Sequence, residues 1–418
     1  MDAAIIGGGA AGFFLAIRLR RLRPDMSVTI FERAPKVLAK VKVSGGGRCN
    51  VTNSFAGIKD LVHVYPRGHR LMKRLLREFG PQDTFRWFED NGVPLVTQED
   101  ECVFPRSQNS ESIILCLRRA AADAGVEVLT AHAVRGVKGG GGRRLEVDFG
   151  DAHAARTFDL VALTSGGAPH GEGHDWLAAT GHKIAPPCPS LFTFNLNDKG
   201  LTALTGIVVK EASAAIAGTK MRASGPLLIT HWGVSGPAIL KLSSYAARRL
   251  HERGYKDRLL ISWCGDSNAE NVAEHLRELL AATPRKQLGT LRPFGLQGRL
   301  WNHLLQRAGL SPEKPCAETG NKSLHRLTSI LTADNYDIAG RCTYRDEFVT
   351  CGGVSLDSVS AQTLESRHLP GLYFAGEVLD IDAITGGFNF HGVCECTTVE
   401  RMDKATEILL NIVEIYSK

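Results

Sequence analysis

The chain lacks any run of about 18 uncharged apolar residues, the length a helix needs to cross a bilayer. No membrane span is therefore predicted. Its ten cysteines contain no C-x-x-C pair, and the closest two, Cys394 and Cys396, have a single residue between them. That spacing excludes a zinc ribbon and a disulfide framework, and scattered thiols suit a reducing compartment. Aromatic side chains make up only 7% of the chain, which leaves few platforms for stacking nucleic-acid bases. His, Asp, Glu and Cys nowhere recur at metal-ligand spacing, so no metal site is expected. Repeats and low-complexity tracts are also missing. The net charge of +6 is small for 418 residues, and basic clusters at Arg18–Arg23 and Arg67–Arg77 have acids nearby. Solvated helix faces and attraction for a small anionic ligand account for that balance; a nucleic-acid partner is not expected.

What the chain does have starts at once. Ala3-Ala4-Ile5-Ile6 reads as a short buried strand, followed by Gly7-Gly8-Gly9-Ala10-Ala11-Gly12, a helix, and a second strand Val28-Thr29-Ile30-Phe31 ending in Glu32. Strand, G-x-G-x-x-G, helix, strand and acid is the order of a βαβ dinucleotide-binding unit. Gly7 permits the tight turn, Gly9 removes a side chain where a pyrophosphate approaches, and Gly12 lets helix and strand pack closely. The helix N-terminus offers free N–H groups and partial positive charge to phosphates. Glu32 is placed to accept hydrogen bonds from ribose hydroxyls. Because loss of a signal peptide would remove this turn, a cytoplasmic location is expected.

With 418 residues, 43% of them apolar, the chain can bury more than one core. A glycine-rich loop spans Ser44 to Asn53. Helices are predicted over 68–79, 82–91 and 110–124, then a strand over 126–131, a hairpin turning at Gly139–Gly142, and a buried strand over 158–163. The Pro186-Pro187-Cys188-Pro189 run marks a boundary. Strands broken by Gly and Pro continue to about Cys264, around a helix over 236–253, and helical patterns occupy 270–282, 296–308 and 321–331. Strands return over 336–350, and a last strand, 372–375, precedes Gly376-Glu377 and a C-terminal helix from His391 to Tyr416. The expected domains are 1–188 (nucleotide-binding, first part), 189–266 (β-rich insert), 267–332 (helical insertion), 333–349 (returning β-rich strands) and 350–418 (nucleotide-binding, second part). The fold class is α/β: a split, doubly wound Rossmann-type domain carrying β-rich and helical insertions.

NAD and FAD share the opening fingerprint, but the end of the chain favours FAD. The strand Leu372-Tyr373-Phe374-Ala375 runs into Gly376-Glu377, where a carboxylate can hold a ribitol hydroxyl. Thr385-Gly386-Gly387-Phe388-Asn389 follows, leading into a helix whose N-terminus would face a flavin ring.

Ser44-Gly45-Gly46-Gly47-Arg48-Cys49-Asn50-Val51-Thr52-Asn53 resembles the hallmark loop of the YhiN-like flavoproteins, a family with aminoacetone oxidase-like and bile-acid reductase-like members. Residues 231–238, 350–354 and 371–389 resemble further segments of that family, in the same order. The resemblance implies FAD held by Gly7, Gly9, Ala10, Ala11, Gly12, Glu32, Lys40, Ser44, Gly45, Arg48 and Asn50, then by Val134, Gly166, Gly376, Glu377, Gly387 and Asn389. Within that set, Arg48 is suited to pyrophosphate charge and Lys40 could reach the flavin or the phosphates. After Asn389 the chain departs from the family's small-residue pattern, reading Phe390-His391-Gly392-Val393-Cys394-Glu395-Cys396.

The expected activity is an FAD-dependent oxidoreductase passing hydride between a small organic substrate, or NAD(P)H, and flavin N5. An oxygen-using amine oxidase and an NAD(P)H-driven ene-type reductase are both compatible with it. A more distant alternative is an FAD-containing RNA-modifying or RNA-binding protein. Without a second dinucleotide fingerprint, NAD(P)H would act as a transient reductant. Catalytic groups are unassigned; His231 and His391, both flanked by glycine-rich segments, are the candidates. Cys49 has no second cysteine within fifty residues, which favours packing over redox-thiol chemistry.

Overall fold

The computed structural model describes residues 1–141, 144–167, 175–342 and 349–390. It divides into two compact units, residues 1–188 with 349–418, and residues 189–348. The expected helix after His391 lies outside the described residues.

The first unit is built on a five-stranded parallel sheet in the spatial order Leu372–Phe374, Leu160–Leu163, Asp2–Ile6, Ser27–Phe31, Glu127–Leu129. Ala3, Ala4, Ile5, Val161 and Ala162 are fully buried, as strands covered on both faces must be. The chain moves from the first strand outward to one side through Ser27–Phe31 and Glu127–Leu129, then returns to the other side as Leu160–Leu163, so the order reverses at Asp2–Ile6. This is the α/β arrangement expected from the opening motif, and the carboxyl ends flanking the reversal are where such folds bind ligands. Helix Ala10–Leu22 follows the first strand and buries Phe13, Phe14, Leu15 and Ile17; Pro24 cannot continue it. Arg20 donates to the carbonyls of Pro24, Met26 and Ala124, tying the end of this helix to the end of helix Glu111–Asp123. The stretch read as one strand over 158–163 is two. Arg156–Phe158 belongs to an antiparallel three-stranded sheet with Gly136–Gly139 and Leu145–Asp148, whereas Leu160–Leu163 joins the parallel one.

In the second unit six strands close into a barrel: Phe194–Leu196, Gly233–Ser235, Arg222–Thr230, Val208–Ile216, Asp257–Ser262 and Asp334–Arg341. Closure leaves no unpaired edge. The predicted helix over 236–253 is broken at Ala246 into Pro237–Tyr245 and Ala247–Glu252. Helices Ala269–Ala282, Gly298–Arg307 and Asn321–Ala333 share one apolar core with the barrel, joining Leu276, Leu300, Leu304 and Leu327 to Phe194, Ile229 and Ile261. The helical insertion is therefore part of this unit's core and not a separate body.

A buried polar network fixes that junction. Asp334 is fully buried and accepts hydrogen bonds from Trp263 Nε1 (3.0 Å), Tyr336 OH (2.6 Å) and Arg307 Nη2 (2.7 Å). Arg307 also donates to Asp198 Oδ2 at 3.1 Å. Removing one partner of a buried pair strands the others without compensation. Asp334→Ala is expected to cost about 3–5 kcal/mol in urea unfolding, and Asp334→Asn less because one acceptor oxygen survives.

Candidate dinucleotide site

The three glycines of the opening motif divide their work. Gly7 leaves the first strand at φ +118°, and a Cβ there would lie 2.6 Å from the Thr164 carbonyl oxygen. Gly12 is tighter still, with an added Cβ only 2.0 Å from the Gly7 oxygen. Beside Gly9 a Cβ would meet nothing within 4 Å. Two glycines thus pack protein on protein, and the middle one faces open space. Helix Ala10–Leu22 has no capping side chain and no acid in its first turn. Its first internal bond runs from Phe13 N to Gly9 O at 3.1 Å, which leaves the amides of Ala10, Ala11 and Gly12 without a helical partner. The open space beside this uncapped terminus is what a pyrophosphate requires.

Glu32 is held at both carboxylate oxygens by backbone: Gly8 N donates to Oε2 and Ala34 N to Oε1, each at 2.8 Å. Each oxygen keeps a lone pair for a ribose hydroxyl. Val134 follows a segment that returns to this corner through His132 N donating to Glu32 O at 2.9 Å.

On the other side of the reversal, Thr164 donates its hydroxyl to Ile6 O and Gly7 O, both at 3.0 Å. Beyond it lie Gly166, whose Cβ would be 3.6 Å from Glu377 Oε2, and Gly167, whose Cβ would overlap Thr350 at 2.4 Å. Glu377, next to Gly376, accepts from Thr350 N at 2.8 Å and from Lys40 Nζ at 3.0 Å. Lys40 therefore pairs with Glu377 at this corner. The Thr350 hydroxyl is buried and finds no partner among the described residues. Sequence reasoning missed Thr350, although it opens one of the family-like segments.

The glycine-rich loop holds a different set of contacts. Ser44 donates its hydroxyl to Val41 O at 2.8 Å, and Gly45 packs so closely that a Cβ would be 2.8 Å from Asn50 N. The Arg48 guanidinium lies 4.2 Å from the centre of the Phe104 ring and donates to Gln108 Oε1 at 3.2 Å. Cation–π packing and its own loop hold it here. Cys49 is fully buried, and burial pushes its thiol up to about 12. Such a thiol is poorly nucleophilic near neutrality, in keeping with a packing role.

Gly387 seals the loop from the other end of the chain. A Cβ there would be 2.2 Å from Thr52 O, and the Asn50 amide, oriented to suit its neighbours, accepts from Gly387 N at 3.0 Å and donates to Thr52 O at 2.8 Å. Asn389 spends its amide on its own loop: Nδ2 donates to Ala383 O (3.0 Å) and Ile384 O (3.1 Å), and Oδ1 accepts from Ala383 N (2.9 Å). It shapes the loop instead of presenting a free amide to a ligand. Arg67, read from sequence as part of a solvated basic face, is an ion-pair partner of fully buried Asp382, and Tyr65 OH donates to Phe388 O at 3.0 Å. No sequence pattern announces that pairing across more than three hundred residues.

His231 belongs to the second unit. It is exposed in the turn between Arg222–Thr230 and Gly233–Ser235, its ring 4.3 Å from that of Trp232. His391 lies outside the described residues. Among those residues no group of three or more His, Cys, Asp or Glu could hold a metal, and no helix is long and apolar enough to cross a membrane.

A family model described as "HI0933-like protein Rossmann domain" matches residues 1–399. The chain is 28% identical over 407 residues to the ribosomal RNA dihydrouridine synthase of Haemophilus influenzae, covering 92% of this chain and 94% of the relative. It is also 28% identical over 402 residues to the 3-dehydro-bile acid delta(4,6)-reductase of Clostridium scindens, again covering 92% and 94%. The ribosomal RNA dihydrouridine synthase of Escherichia coli is 28% identical over 400 residues, covering 93% and 94%.

Two outcomes check this geometry. Gly12→Ala is expected to lower the unfolding midpoint by an amount corresponding to about 1–3 kcal/mol of overpacking, whereas Gly9→Ala keeps the midpoint and loses stabilisation by added FAD. In native protein at pH 8, Cys49 is expected to resist iodoacetamide, with peptide mass spectrometry as the readout; rapid labelling would contradict the packing role.

Proposed function

The chain belongs to the HI0933-like protein family, and from that premise we propose that it is an FAD-dependent oxidoreductase reducing a carbon–carbon double bond conjugated to a carbonyl. A uracil base within RNA is the substrate class we favour, with NAD(P)H as transient reductant. The observation that carries the cofactor is the open, uncapped helix terminus at Gly9, set between Glu32 and the Gly166–Glu377 corner.

Bound FAD supplies two-electron chemistry, giving or accepting a hydride. The residues of this chain supply its setting. Ala10, Ala11 and Gly12 offer amides to the pyrophosphate, and Glu32, oriented by two backbone N–H groups, accepts from ribose. Glu377, held by Thr350 N and neutralised by Lys40, orients a polyol hydroxyl, and the buried Thr350 hydroxyl is free to join it. Asn50, Asn53 (Nδ2 donating to Gly386 O at 3.1 Å), Arg67 and Tyr65 hold the 382–389 loop, which would present the glycine backbone of 386 and 387 to a flat ring. Rigid support of this kind fixes the reacting geometry in advance.

The reaction class follows from what two kinds of relative are named for. Making dihydrouridine saturates a uracil double bond conjugated to a carbonyl, and a Δ4,6-reductase of a 3-dehydro steroid acts on double bonds conjugated to a ketone. The charge division favours RNA. Residues 189–348 contain 21 Lys and Arg against 14 Asp and Glu, while the rest of the chain contains 29 against 30. The positive excess thus lies on the unit that is not the dinucleotide fold, where a polyanion gains more from it than a bile acid with a single carboxylate. This reading departs from the expectation of no nucleic-acid partner, which rested on the small net charge, the acids near the early basic helices and the scarcity of aromatic side chains.

An anaerobic titration tests the proposal. NADH or NADPH is expected to bleach the flavin absorbance, and uridine-containing RNA to restore it, with dihydrouridine found in the digested RNA by mass spectrometry. Bleaching by amines alone, with reoxidation only by oxygen, would replace the reductase with an oxidase. Bleaching by a nicotinamide with no product in RNA would remove the RNA substrate and keep the reductase.

A further inference from the structure

We infer that one end of the barrel, where Lys220, Arg222, Lys256 and Arg258 come together, is the surface on which the RNA backbone docks; this rests on the RNA reading proposed above. The register brings the four residues side by side. Strands Val208–Ile216 and Arg222–Thr230 form a hairpin whose tip carries Lys220, with Arg222 opposite Ala215. Strand Asp257–Ser262 pairs with the other edge of the first hairpin strand, and Ala217 N donates to Arg258 O at 2.9 Å. Lys256 precedes that strand in the turn that follows helix Ala247–Glu252. All four side chains are exposed.

The acids of this unit do not cancel them. Asp257, the acid nearest in sequence, is only 6% exposed and is held by Arg249 Nε at 2.7 Å and Arg253 Nε at 3.3 Å. Asp334 is buried and Asp198 is engaged by Arg307, so both are occupied inside the unit. Of the surrounding acids, Asp337 approaches Arg258 only to 4.0 Å, with both side chains largely in water, where such a pair contributes little. Glu252 is exposed on the preceding helix. Four basic heads therefore face solvent from a hairpin tip, a turn and the two strands that flank Val208–Ile216, an arrangement that offers several phosphate contacts on one surface. Arginine adds bidentate phosphate contacts to the point charge of lysine. Contacts of this kind position the nucleic acid without reading its sequence.

The test uses full-length, FAD-loaded protein and a fluorescent uridine-containing RNA hairpin, with anisotropy measured across a salt series. The K220Q/R222Q/K256Q/R258Q variant is expected to bind at least about ten-fold more weakly than wild type and to lower the log–log salt slope by about 3, from four lost phosphate contacts. A charge-matched control, K199Q/R285Q/K286Q/K322Q, changes exposed residues elsewhere in the same unit and is expected to stay near wild type. Visible flavin spectra and unfolding midpoints confirm that both variants are folded. Equal loss in the two variants would overturn the surface, because total charge and not place would then set affinity. Unchanged binding in the first variant would overturn it as well, while dihydrouridine formation by wild type would leave the RNA reading standing. Absence of salt-dependent RNA binding by wild type would end both.

Discussion

Everything at the candidate site depends on two backbones coming closer than any side chain would allow. At the reversal of the parallel sheet, Gly7 lies against Thr164 and Gly12 lies against Gly7, with no room for a methyl group at either glycine. The Thr164 hydroxyl closes this contact by donating to the carbonyls of residues 6 and 7. That approach draws the carboxyl ends of the first and fourth parallel strands of the chain together. It aims the terminus of helix Ala10–Leu22 into the space beside Gly9, and brings Gly166 and Glu377 to the same edge. The anion-binding terminus is therefore a consequence of steric exclusion on its protein side, and of the missing side chain on its open side.

The second half of the site is organised by loops held at both ends. The 382–389 segment is irregular over residues 383–387, yet it is tied by an Arg67–Asp382 ion pair, by Tyr65 to the Phe388 carbonyl, by Asn50 to Gly387 and by the amide bonds of Asn389 to Ala383 and Ile384. An irregular segment near a ligand has to satisfy its backbone groups with side chains, since no ladder does so. Asn50 and Asn389, which resemblance assigns to the cofactor, also shape this loop through their amides. The barrel unit follows a different logic. Its buried acids are paired with arginines, while Lys220, Arg222, Lys256 and Arg258 remain in water.

The opening glycines, the acid at position 32 and the closing Gly-Glu strand were legible because each role demands a residue type at a fixed offset. The helices and strands of the first unit were legible in outline from their periodicity. Other features were not. The single strand read over 158–163 splits because Phe158 and Leu160 serve different sheets, and one helix breaks at Ala246, where local pattern alone continues. Lys40 and Arg48 are long flexible side chains, and the partners that folding provides for them cannot be read from local spacing. Here those partners are Glu377 and Phe104.

By itself, then, the order of residues determined the α/β nucleotide fold, the family and the identity of the glycines that line the turn, because steric limits on backbone act over a few neighbouring positions. Only the tertiary structure decided which side chains hold the loops, that the helical insertion shares the barrel's core, and that Lys220, Arg222, Lys256 and Arg258 share one end of the barrel. Those outcomes depend on contacts between residues far apart in the chain, whose distances no local spacing encodes.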